Sequence, residues 1–462
     1  MKPNRMKIVT ALATFMLCGQ LHHIASATEK PNVIIIFTDD QGYQDLGCYG
    51  SPDIATPNID NLADEGMRFT DFYVAASACS ASRAALLTGC YPKRVGMPLV
   101  LNPSKTTGPQ GLDPKHVTIA ELLKPLGYAT KEVGKWHLGD EKQYLPTNQG
   151  FDSYFGIPYS NDMAAAADME YAKDCLFREG YSRDKIRQVR GEPLLMRDEL
   201  CIELPVDQST VTRRYTDESV RFISESTQTK EPFFLYLAHT MPHTPWYVSS
   251  DFQGKSKQGL YGDVIEEIDY NVGRLLNHLE ELDIADNTLV VFTSDNGRWL
   301  LKGEDGGSAL PLLEGKKTTF EGGMRVSCIM RWPGRIPAGS VCTEMASSID
   351  LLPTIAAITG AGSAKDVPLD GREIIDLITG KEDTTTPHRY FFYETQAVRS
   401  GDWKFHSRQS HKVKSIARPH KGNALYNLTD DIGESNNVID DYPEVAARLK
   451  KALEVYVSSY KK

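Results

Sequence analysis

The sequence predicts an α/β fold with a mainly parallel sheet between helices. Two observations carry that class. Short runs bounded by polar or turn residues read as buried strands: "NVIIIF" (32–37), "YATKEV" (128–133), "FFLYLA" (233–238) and "TLVVFT" (288–293). A strand covered on both sheet faces has no side that must stay polar, so its apolar residues run together instead of alternating. Helical patterns lie between these runs, in "TPNIDNLADEGM", "TIAELLKPLG" and "GDVIEEIDYNVGRLLNHLEELD". Strands that alternate with helices pair in parallel, because the crossover returns the chain to the same sheet edge. A third observation sets off the C-terminal part. From about residue 365 the text changes to "RYFFYETQAVRSGDWKFHSR", which alternates like antiparallel strands with a turn at Ser400-Gly401-Asp402. "EVAARLKKALEVYVSSY" then reads as an amphipathic terminal helix. The expected division is 1–27 as a signal peptide, 28–364 as the main α/β domain and 365–462 as a smaller α+β subdomain.

The chain begins with Lys2, Arg5 and Lys7, followed by an apolar run from Ile8 to Leu17 and by Ala25-Ser26-Ala27. A positive start, a short apolar stretch and small residues at a cleavage site make an export signal. The run is too short to span a bilayer, and no later segment is long and apolar enough to do so. Cys18 raises a lipoprotein alternative, but Leu17 before it is bulky for a lipidation site. The expected location is periplasmic or secreted, after cleavage near Ala27. The 462 residues carry a formal charge of −10. That balance lacks the basic excess of a nucleic-acid-binding surface. Of the 8 cysteines, none forms a Cys-x-x-Cys pair, which argues against a zinc ribbon. Loss of Cys18 leaves an odd number, so at least one thiol is unpaired or modified. Cys175 with Cys201 and Cys328 with Cys342 are candidate disulfides.

Each predicted strand is followed at once by polar residues. Asp39 and Asp40 follow the first; Lys135 and His137 follow the second. His239 and His243 follow the third, and Asp295 and Asn296 the fourth. Open α/β sheets bind ligands beyond the carboxyl ends of their strands. One such residue is ordinarily a solvated loop position, but four strands delivering carboxylates, histidines and a lysine to one edge define a site. Asp39, Asp40, Asp295 and Asn296 offer oxygen ligands, which suit calcium or magnesium better than zinc. Residues 160–230 are rich in arginine, including Arg178, Arg183, Arg187, Arg190 and Arg197. They read either as an insertion over the site or as a solvated surface excursion.

"CSASRAALLTG" (79–89) begins as a helix would, with Cys79 at its mouth and Arg83 one turn on. Exposed N–H groups and the helix dipole favour an anion there. Arg83 adds a forked donor suited to a tetrahedral oxyanion. A thiolate would be favoured at the same place, whereas the plain alternative is a small buried core cysteine. With Lys135, His137, His243 and Lys316, the residues outline metal-assisted displacement at a phosphoryl or sulfuryl centre.

These segments resemble the type I sulfatase family. "CSASRAALLTG" is similar to its signature, Cys-x-Pro/Ala-x-Arg followed by Leu-Thr-Gly. "NVIIIFTDDQGYQDLGCYG", "GKWHLG", "GFDSYFGIPYSND", "SDNG", "GKKTTFEGGMRV" and "LYNLTDDIGESNNV" occur in the family's order, in the arylsulfatase pattern. The resemblance implies an alkaline-phosphatase-like fold and oxidation of Cys79 to formylglycine, an aldehyde that hydrates to a geminal diol. It implies calcium held by Asp39, Asp40, Asp295, Asn296 and residue 79, with magnesium as the other option. It further implies that Arg83 and Lys135 hold the diol, that His137 deprotonates its second hydroxyl, and that His243 and Lys316 bind sulfate and assist the leaving oxygen. Ser160 matches a residue near the sulfate, and His239 is a further substrate-binding candidate. The implied reaction has two steps. One diol oxygen attacks sulfur and expels the alcohol; the other hydroxyl then loses its proton, sulfate leaves and the aldehyde returns. Ala81 stands where many members have proline, which leaves the identity of the maturing enzyme open.

The expected function is hydrolysis of sulfate monoesters, with sulfated saccharides as substrates and a formylglycine-generating enzyme as partner. The alternatives are a phosphate or phosphonate ester hydrolase of the same superfamily and a non-catalytic glycan-binding relative.

Overall fold

The computed structural model describes residues 30–103, 111–164, 169–182, 192–362, 368–407 and 422–460. The expected export signal and its cleavage site lie outside them, as do Arg183, Arg187, Arg190 and the expected boundary at 364. Among the described residues no helix is long and apolar enough to cross a membrane.

One 12-stranded sheet organises the chain. Its strands are β1 (Asn32–Thr38), β2 (Met67–Tyr73), β3 (Ala129–Lys135), β4 (Ser153–Ile157), β5 (Tyr171–Phe177), β6 (Leu195–Arg197), β7 (Leu200–Leu204), β8 (Phe233–Ala238), β9 (Thr288–Ser294), β10 (Arg325–Arg331), β11 (Ser340–Cys342) and β12 (Ala346–Ser347). The helices are α1 (Pro57–Asp64), α2 (Cys79–Thr88), α3 (Ile119–Leu123), α4 (Val211–Thr229), α5 (Gly259–Glu281), α6 (Glu321–Met324), α7 (Leu351–Thr359), α8 (Ile375–Ile378) and α9 (Pro443–Ser459). The strand order is β11-β2-β10-β9-β1-β8-β3-β4-β6-β7-β5, with β12 also on β2. At the centre, β9, β1, β8, β3 and β4 run parallel. The expected mainly parallel α/β class is therefore present.

β1 shows why its text is continuously apolar. Val33, Ile35 and Phe37 point into one core, with α2, α3 and α7. Ile34 and Ile36 point into a second, with α1, α4 and α5. Successive side chains alternate between faces, and both faces are covered, so every position is buried.

Two expectations change here. The described part of 160–230 is not a free excursion: β5, β6 and β7 extend the main sheet beyond β4, and α4 packs on it. These strands are short and bulged, so they carry little periodicity to read. Cys328 and Cys342 cannot pair as drawn. Both are in register with Phe69, from opposite sides of β2. Two strand spacings separate their backbones by about 10 Å, beyond disulfide reach. Cys175 and Cys201 are neighbours with sulfurs 3.9 Å apart, within hydrogen-bond reach of each other but not joined as a disulfide.

The smaller antiparallel sheet is β13 (Phe391–Tyr393), β14 (Ala397–Ser400), β15 (Trp403–His406) and β16 (Ala424–Asn427), in that order. Ser400 pairs with Trp403, so Gly401-Asp402 is the two-residue turn expected from the sequence. Val398, Phe405 and Leu425 pack under α9 through Ala446, Leu449 and Leu453. Phe391, Tyr393 and Ala397 face the main core instead.

Candidate active site

The carboxyl ends of the central strands converge. Asp39 and Asp40 follow β1, Asp295 and Asn296 follow β9, Lys135 ends β3, and Ser160 and His243 lie beyond β4 and β8. Gly297 permits the "SDNG" turn, because a Cβ there would meet the Gly322 carbonyl oxygen at 1.8 Å. Cys79 opens α2, after Ala78 in extended backbone, and the whole helix is buried.

Arg83 is the central strut. Its Nε and Nη2 donate to Asp295 Oδ2 at 3.1 and 2.8 Å, and Nη1 donates to the Lys135 carbonyl at 2.8 Å. Its Nη2 is also 3.6 Å from Asp39 Oδ2. Lys135 Nζ bonds Asp39 Oδ2 and donates to Ser160 Oγ at 3.2 Å. Lys316 Nζ reaches Asp40 Oδ1 and lies 3.1 Å from Cys79 Sγ. Asn296 Nδ2 donates to Asp40 Oδ1 at 2.8 Å.

His243 Nδ1 is 2.6 Å from the Thr244 carbonyl and 2.9 Å from Asn161 Oδ1. Both are acceptors, so Nδ1 carries the hydrogen and Nε2 faces Asp40 Oδ2 at 3.7 Å. Burial and Lys316 lower the His243 pKa, against the opposing pull of Asp40 and Asp39. Ser160 Oγ lies 3.3 Å from the same Nδ1. His137 is fully buried, with Nε2 at 3.1 Å from the Leu101 carbonyl. Leu101 N–H in turn donates to Ser80 Oγ, next to Cys79. Burial and then Lys135 hold His137 well below its usual pKa, so its ring is neutral.

His239 is placed differently. Its ring lies beside Tyr215, and among the described residues neither ring nitrogen has a hydrogen-bond partner. Burial lowers it to about 4. Its backbone N–H caps β1 through the Phe37 carbonyl.

Burial opposes the thiolate that the helix start would favour. Burial pushes the Cys79 thiol up to about 12, outweighing Lys135 and Lys316. As cysteine, residue 79 is a neutral thiol despite its place at a helix start.

A divalent cation fits these residues. Among the described residues Asp39 Oδ1, Asp40 Oδ2 and Asn296 Oδ1 are buried without hydrogen-bond partners. Orphaned buried oxygens of this kind are costly unless an ion or water takes them. Asp39, Asp40, Cys79 and His243 bring ligand atoms within 4.8 Å of one another. Burial and then the Asp39 charge raise Asp295 to about 7, even with Arg83 bonded to it. With Asp295 ionised, the carboxylates Asp39, Asp40 and Asp295 offset the cations Arg83, Lys135 and Lys316 one for one. An added divalent ion would leave the site positive toward an anion. The orphaned donors are all oxygen, which favours a hard cation.

Sequence reasoning missed Asn161, which holds His243 through Oδ1 and through Nδ2 donating to the Pro245 carbonyl at 2.9 Å. It stands inside the quoted "GIPYSND", so the signal was adjacent.

The matches to known proteins agree with this geometry. The family model described as Sulfatase matches residues 31–361, and one described as N-sulphoglucosamine sulphohydrolase, C-terminal, matches 313–458. Arylsulfatase A of Bos taurus is 39% identical over 452 residues, covering 93% of this chain and 87% of its own. N-acetylgalactosamine-6-sulfatase of Canis lupus familiaris is 40% identical over 394 residues, 83% of this chain and 72% of its own. Among solved structures, Ps i-CgsB in complex with k-i-k-neocarrahexaose matches with TM-score 0.77 and 32% identity, covering 92% of each chain. A buried Cys-x-x-x-Arg helix start facing paired strand-end carboxylates fits displacement at a phosphoryl or sulfuryl centre, and these relatives narrow the class to a sulfuric ester hydrolase. The chain belongs to the sulfatase family. That family implies a formylglycine and a metal ion at this place.

Proposed function

We propose that this sulfatase removes sulfate from sulfated saccharides, with residue 79 as formylglycine and calcium as the ion. The observation that carries the reading is the Cys79 side chain, fixed at a buried helix start 3.1 Å from Lys316 and ringed by cations. A neutral thiol there is a poor nucleophile, whereas an aldehyde hydrate supplies hydroxyl groups at neutral pH and needs no thiolate. Asp39, Asp40, Asp295 and Asn296 would hold the ion together with residue 79, and it would supply charge neutralisation at the sulfate. Magnesium is the alternative ion.

The chain's own groups have separable tasks. Arg83 fixes Asp295 and the Lys135 backbone, so the carboxylates keep their places when an anion enters. Lys135 and Lys316 neutralise the sulfate oxygens. His137, held neutral, is a proton acceptor. His243, with Nδ1 fixed by Asn161 and the Thr244 carbonyl, presents Nε2 to carry a proton to or from the leaving oxygen. Ser160 orients Lys135 and His243 together. We place this machinery in an exported protein, with a catalytic domain over 28–364 and a C-terminal subdomain over 365–462.

The saccharide assignment draws support from the relatives, one of them a structure in complex with k-i-k-neocarrahexaose. The test is desulfation of defined sulfated saccharides by material co-expressed with a formylglycine-generating enzyme. Sulfate release is expected. Faster turnover of a matched phosphate monoester would favour the phosphohydrolase alternative instead.

A further inference from the structure

Lys317 is the cation at this site that the reaction does not use. The two lysines of "GKKTTFEGG" diverge. Lys316 turns inward to Asp40 and Cys79, while Lys317 is exposed. Lys317 has φ +69, in the left-handed region that a non-glycine residue rarely adopts. Its N–H donates to the Ser77 carbonyl at 2.8 Å, two residues before Cys79, so the strained backbone is pinned to the site. Among the described residues Lys317 forms no ion pair; Asp40 and then Asp162 are the carboxylates that bear on it, both from beyond bonding distance.

Its support is a tryptophan. Lys317 Nζ lies 4.4 Å from the centre of the Trp299 ring, and Lys316 Nζ lies 5.2 Å from the same centre. A ring face attracts a cation without neutralising it, so the ammonium keeps its full charge for an incoming anion. The pattern repeats along the rim. Lys302 N–H bonds the Trp299 carbonyl at 3.2 Å, and its ammonium lies 5.5 Å from the Trp246 ring. Trp246 follows His243 by three positions, with Nε1 donating to the Pro242 carbonyl at 2.9 Å. Two exposed lysines thus rest on two tryptophans beside the site.

Resting on the sulfatase reading, we propose that Lys317, positioned by Trp299, forms a second anion subsite that selects saccharides carrying another sulfate or a carboxylate beside the scissile sulfate. The shared Trp299 ring places Lys316 and Lys317 within reach of neighbouring substituents on one saccharide. Lys302 on Trp246 extends the same preference outward.

The test compares kcat/KM on three disaccharides sharing one scissile sulfate: one with a second sulfate, one with a uronate, one otherwise neutral. The matured wild type is expected to prefer an anionic partner. Lys317→Gln is expected to cut that preference about tenfold, mainly through KM, whereas Lys317→Arg retains it. Whichever ratio falls identifies sulfate or carboxylate as the recognised group. An unchanged ratio in Lys317→Gln, or no wild-type preference, overturns the subsite and leaves the sulfatase reading intact. Failure of the wild type to release sulfate from all three overturns both.

Discussion

Cys79 begins α2, where free N–H groups and two lysines favour an anion, yet burial pushes its thiol to about 12. Desolvation of the charged form outweighs every nearby cation. The side chain is therefore placed for chemistry that a cysteine does not perform. Cys79→Ser should keep the helix start and the fold but lose sulfate release to background, as measured by kcat and thermal melting of the same preparation. Arg83 makes a second residue-scale case. Lysine cannot reproduce its fork onto Asp295 and the Lys135 carbonyl. Arg83→Lys should lower kcat/KM by about 100-fold or more, the scale on which a fixed charge-stabilising donor acts. Orphaned oxygens on Asp39, Asp40 and Asn296 yield a third prediction. A chelator should lower Tm as well as activity, and calcium should restore both; at 100 times its dissociation constant an ion adds about 2.7 kcal/mol. An unchanged melt after verified metal removal would contradict this. At this scale much of the site was legible, because strand-end carboxylates and the Cys-x-x-x-Arg start are fixed by local sequence. The split between Lys316 and Lys317 was harder to read. It depends on the left-handed backbone at Lys317, a tertiary constraint that two adjacent lysines do not advertise.

At the scale of elements, the legible strands are those buried on both faces. β1, β8 and β9 match their apolar runs almost residue for residue. β2 and β10 were not expected. β2 carries Arg68, Thr70 and Asp71, and β10 ends in arginines, so charge masks them; ion pairs such as Arg325 with Asp71 at 2.7 Å let that charge sit in the sheet. The edge strands β5 to β7 are short and bulged, and their fit with α4 depends on charge as well as apolar contact. Glu218 of α4 meets Lys131 of β3 at 2.7 Å and Arg197 of β6 at 2.9 Å, with Arg221 beside it. Burial alone would raise this carboxyl, but Arg197, Arg221 and Lys131 outweigh it and hold it at about 2, against an ordinary 4.5. A carboxyl lowered by folding stabilises the fold fully above its ordinary pKa and loses that contribution as pH falls toward its folded value. Glu218→Gln should therefore lower Tm at pH 7 and flatten the fall in Tm between pH 4.5 and 2. A parallel, undiminished acid profile in the variant would show that Glu218 does not fasten α4 to the sheet.

Across the whole molecule, the C-terminal sheet is fixed to the catalytic body by buried charge. Lys404 of β15 lies 2.8 Å from Glu321 and 2.8 Å from Glu434, all three fully buried. Glu321 also accepts from Tyr73 and Tyr393 and heads α6, five residues after Lys316. Burial would raise Glu321, but Lys404, Arg325 and Arg399 hold it well below the usual carboxylate range. Ser77, two residues before Cys79, donates to Glu394 in the β13–β14 turn at 2.7 Å. The second sheet thus buttresses both segments that flank residue 79. Lys404→Met would leave two buried carboxylates facing one another and should cost about 3–5 kcal/mol in unfolding experiments. The hairpin of that sheet was legible from alternation and its turn. Its attachment was not, because Lys404, Glu321 and Glu434 lie far apart in sequence and read as ordinary surface charges.

The account turns on residue 79 acting as an aldehyde hydrate within a cationic ring. The most direct measurement sets the sulfate-release rate of several preparations against the fraction of residue 79 converted, read from the mass of its peptide. A straight line through zero is predicted; rapid release from material whose residue 79 retains its sulfur would contradict it.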